Sequence, residues 1–347
     1  MNINDRIDII SEIGKFLKNY LDKKYDNKKD SKLIDFEIVI KQAQLSNPWF
    51  TDKNIKVNLT YWSEKLSKPS LNQWIDLYNF KDSKRRNIAI IMAGNIPLVG
   101  FHDFLCVFLS GNNSIIKLSS NDKHILPFLT NLIISKNNKL SERVTYLDGM
   151  LKNYEAVIAT GSDNTSRYFE YYFKNKQSII RKNRNSIAIL DGNETDDDLK
   201  SLSHDILTYF GLGCRNVSKL YVPKNYNFDS FFNSIFDYKD LINNHKYANN
   251  YDYNKAIYLM SEYKFLDNGF FMIKQGTEMY SPISTINYEY YHNTTLLKKS
   301  IKQKEDNIQC VVSNIEFKGK IDFGQTQNPS LNQYADNIDV IEFLLTI

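Results

Sequence analysis

From residue 87 onward, short continuous apolar runs alternate with helix-like segments, and that alternation leaves few folds open to the chain. The runs are NIAIIMA (87–93), SIIKLS (114–119) and EAVIAT (155–160). An apolar run this short, rich in β-branched residues, fits a strand covered on both faces. The intervening stretch LVGFHDFLCVFLSG predicts a buried helix ending at Gly111. HILPFLTNLII predicts a second helix, and SDNTSRYFEYYF a third. Strands and helices alternating at this spacing predict a parallel sheet with helices on its faces, an α/β doubly wound domain.

The second half repeats the texture. SIIRKNRNSIAILDG (178–192) holds one or two further strands, and DDDLKSLSHDILTYF a helix with an acidic first turn suited to the positive end of the helix dipole. That helix ends at GLGC, and SKLYVP is again a strand. The chain should pass from one sheet to another near 187–190. The expected organisation is therefore 1–188, a Rossmann-like cofactor lobe with N-terminal helices; 189–320, a catalytic lobe; and 321–347, a segment packing back on the core. With only 13 Gly and 7 Pro and no linker-like stretch, the two lobes should be closely packed. Upstream, Ile7, Ile10, Ile13, Leu17 and Leu21 mark an amphipathic helix over 4–21, capped by Asn4 or Asp5. The charged run at 22–32 reads as a solvated turn, and SLNQWIDLYNF (70–80) as a short helix opened by Ser70.

Composition removes several functions. A net charge of +4 over 347 residues, with no basic helix interleaved with stacking aromatics, does not point to nucleic acid. No stretch reaches the ~18 apolar residues of a membrane span. The first thirty residues lack a signal-peptide layout, so a cytoplasmic protein is expected. Cys106, Cys214 and Cys310 stand far apart with no CxxC, which disfavours structural zinc, any metal centre and a disulfide framework.

In open parallel sheets ligands gather beyond the carboxyl ends of the strands. Three turns occupy such positions: Gly94-Asn95-Ile96-Pro97, Lys117-Leu118-Ser119-Ser120 and Gly161-Ser162-Asp163-Asn164. Gly161 and Ser162 could cradle a phosphate with backbone N–H groups and a hydroxyl, or simply cap a helix. Lys117 taken alone is compatible with a surface lysine, and Asn95 with a turn residue. Cys106 in FLCVFLSG and Cys310 in IQCVVS read as core. Cys214 instead follows Gly-Leu-Gly and precedes Arg215, where the backbone can approach a ligand and a cation could favour the thiolate. The residues alone leave open whether it is a nucleophile.

Taken together, IMAGNIPLVGFHDFL, IIKLSS, VIATGS, YFGLGCRNVSKLYVP, TEMYSPIS and FGQTQNPSLNQYADNIDVIEFL resemble the aldehyde dehydrogenase superfamily. Within it the chain is most similar to the acyl-CoA reductases of luminescence operons (LuxC type), in their shorter stand-alone form. The resemblance runs from about residue 60 to the C-terminus. It implies that Cys214 is the catalytic cysteine and that the Asn95 amide faces the substrate oxyanion. It places Lys117 at the adenosine ribose, with Ser119 and Ser120 in the same turn. Gly161 and Ser162 match the pyrophosphate turn, and Glu278 matches the glutamate that grips the nicotinamide ribose. Hydrolytic relatives carry a glutamate base about thirty residues before the cysteine; here that region is IIRKNRN. Ser120 stands where NAD-preferring relatives often have glutamate, which, with Lys123 nearby, favours NADPH.

The function these residues imply is NADPH-dependent reduction of a long-chain fatty acyl-CoA to the aldehyde through an S-acyl Cys214. Transfer of the acyl group, or reduction of another activated acyl group such as an acyl-phosphate, is the alternative; a catalytically silent binding protein of the same fold is the second. The expected partners are an acyl-CoA or acyl-protein donor, an acyl-protein synthetase and further copies of the chain. His204 on the preceding helix reads as a helix-face residue rather than the general acid.

Overall fold

The computed structural model describes residues 1–22, 30–80 and 84–347. Most of the charged run at 22–32 thus lies outside the described residues. The chain forms two compact units: residues 1–182 with 330–347, and residues 183–329.

The first unit opens with four helices, α1 (Ile3–Asp22), α2 (Ser31–Ser46), α3 (Asp52–Lys65) and α4 (Lys68–Ile75). α1 buries Ile7, Ile10, Ile13 and Leu17, as their spacing predicts. Its cap is Asn2 rather than Asn4 or Asp5: the Asn2 side chain accepts from the Asp5 N–H at 2.8 Å, and the Asp5 carboxylate accepts from the Asn2 N–H at 3.0 Å. α4 starts after Ser67, with Pro69 in its first turn, and ends at Ile75, earlier at both ends than its apolar pattern suggested. 

Five parallel strands follow: β1 (Asn87–Ile91), β2 (Asn113–Lys117), β3 (Val144–Tyr146), β4 (Ala156–Thr160) and β5 (Gln177–Arg181). They lie in the order β3-β2-β1-β4-β5. The three-residue β3 is too short to show in the apolar pattern. Between them run α5 (Phe101–Leu109), α6 (Ile125–Lys136) and α7 (Asp163–Tyr172). α5 is buried almost all round, through Phe101, Phe104, Leu105 and Phe108. Each such side chain contributes about 1.5–3 kcal/mol on burial. Its buried Asp103 is met by Arg181 from β5 in a two-pronged ion pair at 2.5 and 2.7 Å.

The second unit carries β6 (Asn185–Ile189), α8 (Asp196–Leu207), β7 (Val217–Pro223), α9 (Asp229–Ile235), α10 (His245–Met260), β8 (Phe265–Asp267), β9 (Met272–Gln275), β10 (Thr285–Tyr291), α11 (Thr294–Gln303) and β11 (Ile308–Ser313). Its sheet runs β11-β6-β7-β10-β9-β8, parallel except for the antiparallel edge strand β8. SIIRKNRNSIAILDG therefore does supply two strands, one to each sheet, and the chain passes between units at 182/183, ahead of the expected 187–190. α8 opens with a capping box, Thr195 and Asp198 each bonding the other's backbone N–H. The tail divides: 321–329 stays with the second unit, and 330–347 joins the first. There the last helix, α12 (Val340–Thr346), buries Val340, Ile341 and Leu344, and the Tyr334 hydroxyl accepts from the Trp74 indole at 2.9 Å.

Candidate active site

In the first unit the three predicted turns come together. β1 is flanked by β2 on one side and β4 on the other, all parallel, so their carboxyl ends share one edge. The strand order reverses direction there, which is where open α/β sheets bind ligands. Gly94 and Asn95 follow β1, Lys117 closes β2, and Gly161 and Ser162 follow β4.

The Asn95 loop is held from below. Asn47, at the end of α2 and buried, donates from its amide to the Gly94 and Asn121 carbonyls, both at 3.3 Å. A Cβ on Gly94 would come within 2.6 Å of the Ser119 hydroxyl oxygen, so only glycine lets the β1 and β2 turns meet this closely. Leu98 adopts a left-handed φ of 54° and gives its N–H to the Asp122 carboxylate at 2.8 Å. Asp122 is buried and its second oxygen has no hydrogen bond. Burial pushes its pKa up to about 7, against the pull of the Leu98 N–H. Asn95 itself is exposed.

Around it, Lys117 is half-buried and donates to the Gly149 carbonyl at 3.4 Å. Ser119 accepts from the Asn121 N–H at 3.3 Å, and Ser120 is exposed. Ser162 is the N-cap of α7: its hydroxyl lies 3.4 Å from the Thr165 N–H and 2.9 Å from the Thr165 hydroxyl. A Cβ on Gly161 would press on Thr165 and Phe169 at 3.0 Å. The helix-cap reading of this turn is thus correct, and the cap leaves an exposed helix N-terminus beyond β4. An exposed helix start, a glycine at the close approach and a lysine at the neighbouring strand end form a donor set suited to a dinucleotide's phosphates and ribose.

The second unit holds Cys214 and Glu278. The chain leaves α8 at Leu207, sooner than the helical pattern in DILTYF suggests, because Tyr209, Phe210 and Gly211 all take left-handed φ values of 55°, 58° and 74°. Two buried aromatic residues in that region cost about 1–3 kcal/mol each. Gly211, read from sequence as clearance for a ligand, is thus required first by its backbone angle. Cys214 follows, at the amino end of β7, exposed, whereas Cys106 and Cys310 are buried. Burial also pushes the thiols of both upward.

The Cys214 loop is tied on three sides. The Asn216 amide donates to the carbonyls of Asp205, Ile206 and Thr208 at 3.0, 3.3 and 2.8 Å, and its oxygen accepts from the Gly213 N–H at 2.8 Å. The Ser186 hydroxyl donates to the Cys214 carbonyl at 2.9 Å. Arg215 donates from Nε to the Thr326 carbonyl at 3.0 Å. Thr326 and Gly324 in turn donate to buried Asp205, whose pKa burial pushes up to about 6 against these hydrogen bonds. The FGQTQ segment therefore props the cysteine loop. His204 shares its Nδ1 with the Thr208 and Tyr238 hydroxyls at 2.9 and 3.2 Å, which fits its reading as a structural residue.

Glu278 lies exposed in the turn after β9. Its carboxylate is held below the usual range, first by its own backbone N–H and, against a burial effect, by the charges of Lys274 and Lys219. Asn47, Asp122, Asn216 and Lys219 were not picked out from sequence. The signal for Lys219 was a lone charge inside the strand SKLYVP. Asn216 stood within the quoted GLGCRN but passed as a neighbour of the cysteine. Among the described residues no group of three or more His, Cys, Asp or Glu side chains could hold a metal.

The fold is that of the aldehyde dehydrogenases. Aldehyde dehydrogenase 21 from Physcomitrella patens, solved with its product succinate, superposes with a TM-score of 0.68 at 11% identity, covering 100% of this chain and 84% of its own. The NAD+ complex of an aldehyde dehydrogenase from Bacillus cereus gives 0.62 at 11% identity, covering 92% and 73%. An indole-3-acetaldehyde dehydrogenase with NAD+ gives 0.57 at 12% identity, covering 90% and 77%. No curated protein matches the sequence. The chain belongs to the acyl-CoA reductase (LuxC) family, which matches residues 1–235. That membership and the fold make it an oxidoreductase acting on aldehyde or acyl groups. The match takes in the N-terminal helices, outside the resemblance read from residue 60 onward. It ends before Glu278.

Proposed function

We propose that the protein reduces a long-chain fatty acyl-CoA to the fatty aldehyde with NADPH, through an acyl group held on Cys214. The observation that carries this reading is the setting of Cys214: of three thiols it alone is exposed, and it sits on a strained, triply anchored loop. In the proposed cycle the Cys214 thiolate attacks the thioester carbonyl, the bond to coenzyme A breaks, and coenzyme A leaves as its thiolate, which takes up a proton from water. The Asn95 amide and the Cys214 N–H would hold the oxyanion; one such donor lowers the barrier by roughly 3 kcal/mol. Lys117, Ser119, Ser120, Gly161 and Ser162 would bind the dinucleotide, with Glu278 on its nicotinamide ribose. When bound, the nicotinamide would supply the hydride that reduces the acyl carbon; the bond from that carbon to the Cys214 sulfur then breaks, which frees the aldehyde and restores the thiolate. The serine at position 120 leaves room for a 2′-phosphate, and the aldehyde dehydrogenases above that hold NAD+ support a nicotinamide cofactor of some kind.

Hydrolysis is disfavoured by what occupies IIRKNRN. Arg181 there is locked to Asp103, so the stretch offers a spent cation and no carboxylate to activate water. The donor could equally be an acyl-protein handed over by an acyl-protein synthetase, and the enzyme could act as a homo-oligomer. The test is NADPH oxidation with long-chain acyl-CoA by the wild type and by Cys214→Ala. The wild type should turn over and the variant should not. Equal turnover would refute the nucleophile. Acylation without NADPH oxidation would make the protein an acyltransferase, and an inert Cys214 a binding protein.

A further inference from the structure

Lys219 on β7 is completely excluded from solvent. Its ammonium donates to the Gly276 carbonyl, lies 3.0 Å from a Glu289 carboxylate oxygen and sits 5.5 Å from the centre of the Tyr221 ring. Burying an ammonium is costly, and replacing both partners of a buried ion pair by apolar residues of similar volume is often neutral or stabilising, so the pair is weak evidence for stability. The lysine therefore calls for a reason beyond stability, and its hydrogen bond supplies one.

The segment Gly276–Ser281 is stitched to the strands beneath it at nearly every residue. The Ser218 hydroxyl donates to the Met279 carbonyl at 2.8 Å. The Asn287 amide donates to the Tyr280 carbonyl at 2.8 Å and the Glu278 carbonyl at 3.4 Å. The Ser281 hydroxyl donates to the Ser218 carbonyl at 2.6 Å and accepts from the Asn287 N–H at 2.7 Å. Lys219 and Asn287 are register partners on β7 and β10, so one rung of the sheet provides two of these anchors. Gly276 is the point at which the segment departs from β9. A Cβ there would run into the Glu278 carboxylate, so that side chain folds back over the Gly276 backbone that Lys219 holds.

We propose that Lys219 is a positioning residue for Glu278: by holding the Gly276 carbonyl from within the sheet, it fixes the turn that presents the Glu278 carboxylate to the ribose hydroxyls of a nicotinamide dinucleotide. The cofactor part of this inference rests on the function proposed above. Lys219 touches no reacting atom. Its strand begins three residues after Cys214, so the same element carries the cysteine loop at one end and the support of the Glu278 turn next to it.

Lys219→Met, Lys219→Arg and Glu278→Gln, with the Lys219→Met/Glu278→Gln double variant, test the inference in two independent readouts. In the ligand-free protein, Lys219→Met should speed backbone hydrogen exchange across 276–281, and Lys219→Arg should restore the wild-type rate. NADPH binding, followed by its fluorescence, should weaken about tenfold in Lys219→Met, the lower end of what loss of an outer-shell partner costs a metal site. No further loss should occur when Lys219→Met is added to Glu278→Gln, and the rate of Cys214 alkylation should stay as in the wild type. Unchanged exchange and NADPH affinity in Lys219→Met would overturn the inference, as would a full extra loss in the double variant. If Lys219→Met does not fold, Lys219→Gln carries the same expectations. Should the wild type bind neither NADPH nor NADH, the cofactor reading fails and takes the ribose role with it; the exchange measurement still decides whether Lys219 holds the turn.

Discussion

Asp122 is a buried carboxylic acid beneath the loop that carries Asn95, with one oxygen on the Leu98 N–H and the other without a hydrogen bond. Its pKa rises from 3.8 to about 7 because burial penalises the charged form. The stabilising form is therefore the protonated one. Its contribution is complete below the unfolded value near 3.8 and is lost as pH rises through about 7. Asp122→Asn keeps an acceptor for Leu98 without the charge. Its stability relative to the wild type should climb by a few kcal/mol between about pH 4 and 8. Urea unfolding across that range would show it, and a constant difference would contradict it. Asp122 could not be read from the sequence, since SSND looks like any polar turn and its burial depends on α2 and the Asn95 loop lying over it. The turns that carry Cys214 and Asn95 were legible because glycine and proline mark them. Tyr209 and Phe210 were not, because nothing in their identity announces a left-handed backbone.

At the scale of elements, the parallel strands were legible wherever the apolar run was continuous, as in β1, β2 and β4. The pattern failed at β3, whose three residues are too few for a period, and at the end of α8, where helical spacing continues through residues that have left the helix. The cysteine loop stays in place through Asn216, which caps three carbonyls at the end of α8. Asn216→Ala should destabilise the protein by about 2–4 kcal/mol, since it strips buried carbonyls of their donor. It should also change the alkylation rate of Cys214. An unchanged melting temperature would show that the loop is held by other contacts. The ion pair of Arg181 and Asp103 joins α5 to β5 in a buried setting. Asp103→Ala leaves the guanidinium uncompensated and should cost about 3–5 kcal/mol in chemical denaturation, while Asp103→Ala with Arg181→Met should recover much of it.

For the whole molecule, family membership gives the class of reaction and leaves cofactor and donor to experiment. NADPH at a hundred times its dissociation constant should stabilise the protein by about 2.7 kcal/mol, visible as a rise in melting temperature. NADH at equal concentration should raise it less if the Ser119–Ser120 turn accepts a 2′-phosphate; a larger rise with NADH would reverse the assignment. The most direct test of the central claim needs no cofactor. The protein is incubated with a long-chain acyl-CoA, then digested, and the peptides holding Cys106, Cys214 and Cys310 are weighed. A thioester-linked acyl group on the Cys214 peptide, removable with hydroxylamine and missing from the other two, is the expected result. Reduction of acyl-CoA by a protein whose Cys214 never carries the acyl group would contradict it.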